Sequence, residues 1–451
     1  MKGVKAINMK RKSIIVLVIS LMLCGTNLTA QVGEMRLSVK EAGDYAVANN
    51  KMVRSAQMDL EASRISVWEV ISAALPRVEA TGSFNNNLKL MTTLLPGEFF
   101  GQPGEKIPVT FGSKFNSGAS IQASMVIFNA PLFVGIETTK LARKLSEQNL
   151  TRTELEIRES VITAYYLTLV SERSLVILDE DIANLEETLR STRVMLAAGM
   201  AEATDVDQML SNVTMVENSR SSLERTIELN YNLLRFQLGL PADTRIVLTE
   251  TLESITEKIN VEKLMASDFD INGNVDFRLI EGQEMLSALS LKSEKAATLP
   301  TLAGFYNYGT NGMGDKVSDL RWFPNSMTGL QLSVPIFSSG QRYMQIRKAQ
   351  INLDKARTTR ELVTDQLMMQ EKQLRYNLIS ANLQYQSQKD NVEVARRIYA
   401  SMENKYRQGM ASSLELTQAN SNYLQAESNY LSALMNLLQT RLALDKLLNN
   451  I

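Results

Sequence analysis

The chain reads as a mostly α protein that also carries a membrane β-barrel, and three observations point there. Two long tracts lack proline, the same order of elements occurs twice, and four strands of alternating polarity stand at duplicated positions. Each tract leads out of a strand and is broken once by glycine, which gives long antiparallel helical hairpins.

The nine prolines are unevenly spread, and tracts 132–240 and 336–451 contain none. Both tracts are rich in Leu, Ala, Glu, Gln, Lys and Arg, the residues that long helices favour. In the second tract apolar residues recur at threes and fours: Ile346, Ala349, Leu353, Ala356, Val363 and Leu367. After one shift they resume at Leu374, Leu378, Ala381, Tyr385, Val392, Ala395, Tyr399, Met402 and Tyr406. That is a narrow seam of coiled-coil type with a stutter. The arms 132–198 and 340–408 predict helices about 100 Å long at 1.5 Å per residue, more suited to a rod or tube than a globule. Gly199 and Gly409 predict the turns, with Thr204 in one copy and Ser412 or Ser413 in the other capping the returning helix.

The duplication is visible residue by residue. Gly199-Met200-Ala201 matches Gly409-Met410-Ala411 at an offset of 409 − 199 = 210, and Asp205 then pairs with Glu415 and Gln208 with Gln418. Leu75-Pro76 matches Leu299-Pro300 at a larger offset. The boundaries implied are an export leader over 1–30, a first repeat over 31–240, an intervening mixed segment over 241–275 and a second repeat over 276–451.

The strand segments alternate. Ala119, Ile121, Ala123, Met125 and Ile127 are separated mostly by Ser and Gln; Leu330, Leu332, Val334 and Ile336 are separated by Gln331, Ser333 and Pro335. The partner segments run from Val78 to Phe84 and from Leu302 to Tyr308. Apolar-out, polar-in alternation over about ten residues suits a barrel strand in lipid. The register expected puts Ile121, Ala123, Met125, Leu330, Leu332 and Val334 toward lipid, and Gln122, Ser124, Gln331 and Ser333 toward a lumen. Stretch 86–116, with Pro96-Gly97, Phe99-Phe100 and Pro103-Gly104, predicts a long outer loop, and Trp322-Phe323 falls in a second one. Four strands cannot close a barrel and lipid tolerates no open edge, so copies of the chain must pool strands; three would supply twelve.

Composition removes other classes. Lys plus Arg number 48 and Asp plus Glu 49, a net charge of −1 that gives no electrostatic reason to expect nucleic acid. With no His and one Cys, histidine metal sites, Ser-His-Asp triads and Cys-His dyads are excluded. A basic start followed by the apolar run Ile14–Leu23 and Leu28-Thr29-Ala30 predicts an export leader cleaved to leave Gln31; Leu23 before Cys24 disfavours a lipid anchor. No later segment is expected to span as a helix. The competing readings are a poreless periplasmic or secreted coiled-coil scaffold, which has no need of duplicated strands, and a paired-carboxylate enzyme, which needs a compact pocket.

The chain resembles the TolC-like outer-membrane efflux proteins over residues 36–449. The resemblance rests on Val334-Pro335-Ile336-Phe337-Ser338-Ser339-Gly340-Gln341-Arg342, its weaker copy Val126-Ile127-Phe128-Asn129-Ala130-Pro131, and the turns Ala198–Val206 and Gln408–Leu416. It implies a homotrimer with a twelve-stranded barrel in the outer membrane of a Gram-negative bacterium, a periplasmic tube of helices and a midway girdle formed by 241–275 and the last residues. It also implies a passive exit duct for efflux or type I secretion, without catalysis, cofactor or metal, that meets a periplasmic adaptor and an inner-membrane pump. By the same resemblance Gly199, Met200, Ala201, Gly409, Met410 and Ala411 form the adaptor contact, and Asp205, Tyr406, Glu415 and Gln418 the aperture. Phe128, Pro131, Pro335, Phe337 and Gly340 make the barrel-to-helix junctions. The neutral Gln418 and Ala411 stand where relatives place an acid and an arginine, and Asp205 is the acid expected to tie to Tyr406.

Overall fold

The computed structural model describes residues 34–96, 98, 101 and 104–451, so the export leader and Cys24 lie outside the described residues. In chain order come β1 (Met35–Leu37), α1 (Val39–Asn49), α2 (Lys51–Ser72), β2 (Arg77–Asn86), β3 (Met91–Pro96), β4 (Lys106–Phe111) and β5 (Phe115–Phe128). Then follow α3 (Ala130–Ala197), α4 (Ala203–Leu238), β6 (Ile246–Leu248), α5 (Leu252–Glu257), α6 (Val261–Ala266), α7 (Val275–Ala296), β7 (Thr301–Gly314), β8 (Arg321–Ser333), α8 (Gln341–Arg407) and α9 (Ser413–Leu447).

The two halves match closely. Helices α2 and α7 are both 22 residues, each starting on an asparagine cap: Asn50 Oδ1 accepts from Met52 N at 2.7 Å, and Asn274 Oδ1 from Asp276 N at 3.0 Å. Each then passes through Leu-Pro into a strand. The long helices are 68 and 67 residues, the returning ones 36 and 35.

Contacts divide the chain into two compact units, each drawing on both halves. One unit holds the described residues up to Asn49 with Ser160–Asn260 and Tyr385–Asn436; the other holds Asn50–Glu159, Val261–Gln384 and Leu437–Ile451.

The first unit carries the hairpin turns. Its core includes Leu185, Leu189, Met209, Val213 and Val216, and a second cluster of Tyr399, Tyr406, Leu416 and Ala419. Tyr385, Val392, Tyr399 and Tyr406, all on the expected seam, are buried here, as are the seam residues Leu378 and Ala381 in the second unit. Helix α3 contains an 18-residue window of mean hydropathy 1.4, half of it buried, where no span-like segment was expected. Its apolar run includes the core residues Val161, Ala164, Tyr165 and Leu169, so packing within the unit accounts for that hydropathy. Unforeseen, β1 pairs in parallel with β6, Met35 opposite Ile246. Tyr165 Oη donates to Leu37 O at 2.9 Å, and Glu250 accepts from Val39 N at 2.9 Å, fixing the start of α1.

The second unit holds an antiparallel sheet in the order β2-β5-β7-β8. Its register runs Val78–Ala123–Tyr306–Thr328 and Ala80–Ile121–Tyr308–Ser326 across the strands, with Met125 opposite Gly304 and Leu330. Three differences from the expectation follow. Strand β8 ends at Ser333, so Val334 and Ile336 are outside the sheet; Pro335 offers no N–H to continue the ladder. Stretch 86–116 contains the hairpin β3–β4, paired from Met91–Phe111 to Pro96–Lys106. Trp322 and Phe323 are also strand residues, on opposite faces of β8, and the Trp322 ring covers Gly312 across the ladder. In the same unit Gly282 of α7 lets α3 approach so closely that a Cβ would stand 2.2 Å from Leu145 Cδ2.

Candidate functional site

Both hairpin turns are built alike. After α3, Gly199 takes φ 71°, its N–H bonds Leu196 O at 3.0 Å, and Met200 N bonds Met195 O at 2.8 Å. After α8, Gly409 takes φ 71°, with Gly409 N to Tyr406 O at 2.9 Å and Met410 N to Lys405 O at 2.8 Å. This paired closure satisfies the last helical carbonyls and requires a left-handed residue, which favours glycine. The turns present their next residues outward: Met200 and Met410 are exposed, Ala201 and Ala411 half-buried.

The returning helices start on reciprocal caps. Ser412 Oγ accepts from Glu415 N at 3.2 Å while Glu415 Oε2 accepts from Ser412 N at 2.8 Å, the capping-box arrangement. In the first copy Glu202, not Thr204, is the cap, and Asp205 Oδ2 accepts from Glu202 N at 2.9 Å. Glu415 is thus the structural equivalent of Asp205. Both carboxyls are held below their ordinary values: Glu415 by the Ser412 N–H and hydroxyl, Asp205 by the Ser413 hydroxyl and the Glu202 N–H. Gln418 is exposed and donates to Asn422 at 3.0 Å.

The expected Tyr406–Asp205 tie does not form within the chain. The Tyr406 hydroxyl shares a 2.8 Å hydrogen bond with Thr192 Oγ1, and Asp205 Oδ1 accepts from Ser413 Oγ at 2.5 Å. Tyr406 is buried in the seam, so its ring is a core residue whose hydroxyl needs a partner inside the bundle. Thr192 was missed because a single Thr in a helical run carries no positional signal, and Ser413, expected only as a possible cap, donates to Asp205. Asn212 Nδ2 also donates to Thr417 Oγ1 at 2.8 Å, a second link between the hairpins.

The sheet sorts most of the alternating residues onto two faces, although Val126, Phe305 and Met327 fall on the polar face and Ser326 and Thr328 on the apolar one. One face carries Val78, Ala80, Ile121, Ala123, Met125, Leu302, Tyr306, Tyr308, Leu330 and Leu332; the other carries Glu79, Thr81, Gln122, Ser124, Asn307, Gln331 and Ser333. Thr81 and Ser120 hydroxyls bond across strands at 2.8 Å on the polar face. A bulge at Ile127 ends β5, after which Phe128 meets Phe133 at 6.3 Å and Asn129 Oδ1 caps α3. Pro131 is the second residue of α3, still in the turn whose N–H groups have no helical partner. At the second junction Pro335 is half-buried and Phe337 exposed, and the chain turns into α8 through left-handed Ser339 (φ 48°) and Gly340 (φ 80°).

Similarity to known proteins agrees with this layout. The family model described as outer membrane efflux protein matches residues 43–240 and 282–450. The probable efflux pump outer membrane protein TtgC of Pseudomonas putida is 25% identical over 402 residues, covering 84% of this chain and 75% of that protein. The proteases secretion protein PrtF of Dickeya chrysanthemi is 18% identical over 344 residues, covering 76% and 71%. Among solved structures, CusC superimposes with a TM-score of 0.71 at 16% identity, covering 91% of each chain. The open state of the Neisseria gonorrhoeae MtrE outer membrane channel superimposes with a TM-score of 0.71 at 16% identity, covering 91% and 88%.

Proposed function

Since the chain belongs to the outer membrane efflux protein family, we propose that it is the exit duct of a tripartite efflux or type I secretion system. It acts as a homotrimer, takes substrate from an inner-membrane pump through a periplasmic adaptor and releases it outside without doing chemistry. The observation that carries this reading is the four-stranded sheet with one apolar face and edge strands β2 and β8. Such a sheet is stable in lipid only if its edges meet those of other copies. Three copies supply twelve strands, within the range of known barrels.

In this reading the leader is 1–30, the repeats are 31–240 and 276–451, and 241–275 forms the girdle. Gly199, Met200, Ala201, Gly409, Met410 and Ala411 make the adaptor contact. Asp205, Tyr406, Glu415 and Gln418 surround the aperture, and neutral Gln418 weakens any cation-selective ring there. Phe128, Pro131, Pro335, Phe337 and Gly340 are the points where strands turn into tube helices.

The protein should fractionate with outer membranes, run as a trimer that resists heat dissociation and conduct ions in planar bilayers. A soluble, non-conducting periplasmic monomer would refute the duct. Gly199→Val and Gly409→Val test the docking turns. At φ 71° with open space around each Cβ position, the strain is confined to the turn. Export should then fail while trimers persist in the membrane; trimer loss would assign the turns to folding instead.

A further inference from the structure

Beside the aperture residues, the first unit buries an acid that neither the turns nor the sheet uses. Asp181 of α3 is 3% exposed, and among the described residues its hydrogen-bond partner is Asn420 of α9, whose Nδ2 donates to Asp181 Oδ2 at 3.3 Å. Three oxygens here are buried without a partner: Asp181 Oδ1, Asn420 Oδ1 and Tyr399 Oη. Tyr399 of α8 is itself held in place by stacking on Tyr423, with ring centroids 5.8 Å apart and planes within 1°. The cluster therefore joins the α3 hairpin to the α8–α9 hairpin, and Asp181 Oδ1 and Asn420 Oδ1, which can only accept, are left without a donor. A buried carboxylate with one neutral donor is costly, as is each orphaned oxygen.

The surrounding charges do not relieve it. On α3 the neighbours Asp179 and Glu180 are acidic. On α4, Arg220 is engaged with Asp179 at 2.5 Å and Glu224 at 2.9 Å. On α8, Arg407 bonds Glu403 at 2.6 Å, and Arg396 lies near Tyr423. On α9, Glu427 accepts from the Tyr423 hydroxyl at 3.0 Å.

We propose that Asp181, Asn420 and Tyr399 form a proton-operated clasp, closing the α3 hairpin onto the α8–α9 hairpin in acid and loosening as Asp181 ionises. A single proton on Asp181 supplies the missing donor, which Asn420 Oδ1 or Tyr399 Oη accepts. The direction of titration agrees: burial pushes the Asp181 carboxyl up to about 6, the Asn420 bond opposing it. Because the folded value lies above the unfolded one, the proton is bound roughly 100-fold more tightly in the folded chain. The clasp is at full strength below the unfolded value of 3.8 and is lost as pH rises through about 6.

The test uses the full-length protein purified in detergent. Difference infrared spectroscopy between pH 7.5 and 5 should show a buried protonated carboxyl appear in the wild type and not in Asp181→Asn. Asn420→Ala, which removes the donor favouring the ionised form, should move that titration to higher pH. Thermal stability of the wild type should rise relative to Asp181→Asn as pH falls through 6. Absence of the carboxyl band, or an unmoved midpoint in Asn420→Ala, would overturn the clasp. If the duct reading also holds, opening of the wild-type pore should become rarer between pH 7 and 5, and Asp181→Asn should abolish that dependence. A pore whose opening ignores pH while the carboxyl band titrates would detach the clasp from gating. The infrared and stability readings do not depend on conduction, so they stand or fall apart from the duct itself.

Discussion

Arg375 offers the sharpest test of what holds the segment after the first repeat. From α8 its guanidinium donates to Leu264 O at 3.1 Å, Met265 O at 2.8 Å and Ser267 O at 2.6 Å, and pairs with Glu371 one turn earlier. These carbonyls belong to the end of α6 and to Ser267 just after it; α6 has six residues, and its last carbonyls have few helical partners. The positive charge also meets the negative end of the helix. Both side chains of the ion pair are only 14% exposed, so solvent screens them little. Arg375→Ala takes the guanidinium donor from Met265 O and Ser267 O and the partner from Glu371, while Leu264 O keeps the Ser267 hydroxyl at 2.6 Å; removing one partner of a buried pair costs about 3–5 kcal/mol. Arg375→Lys keeps the charge but lacks the planar fork, and should recover roughly half. Hydrogen exchange at amides 261–267 reads this directly: opening made easier by about 3 kcal/mol accelerates exchange on the order of 100-fold. Unchanged protection in Arg375→Ala, with α8 still helical, would refute the latch.

Placing Arg at Leu332 should impair membrane assembly by about 2–4 kcal/mol near mid-bilayer, while Arg at Gln331 on the opposite face is tolerated; membrane yield and refolding titrations compare them. Gly282→Ala should destabilise by about 1–3 kcal/mol through collision with Leu145, and Leu145→Ala should relieve part of it, so thermal melts of the double variant fall short of additivity. Glu415 has a depressed folded value, so its cap is present above the unfolded value of 4.5 and lost as pH falls through the folded one. Exchange of amides 413–416 should accelerate over that acid range in the wild type, and Glu415→Gln should remove the dependence. Tyr406→Phe leaves Thr192 Oγ1 without its cross-hairpin partner and should loosen the turn region, seen as faster exchange in residues 188–196.

Long-range order was largely legible in the chain itself. Helix ends at Ala197 and Arg407 fall within a residue or two of the expected breaks, because a glycine after a proline-free run of helix formers leaves few alternatives. The sheet faces follow from a period of two, and buried Leu378, Tyr385, Val392 and Tyr406 follow from the seam. Tertiary structure decided the partners of polar side chains. Nothing local tells Tyr406 to choose Thr192 over Asp205, Arg375 to reach the end of α6, or Asp181 to be buried beside Asn420. It also decided that β1 pairs with β6 and that β8 stops at Ser333. Backbone periodicity is set by each segment's own composition, so it survives in the sequence. A hydrogen bond between residues 100 or more positions apart depends on how the segments pack, and only the folded chain specifies that.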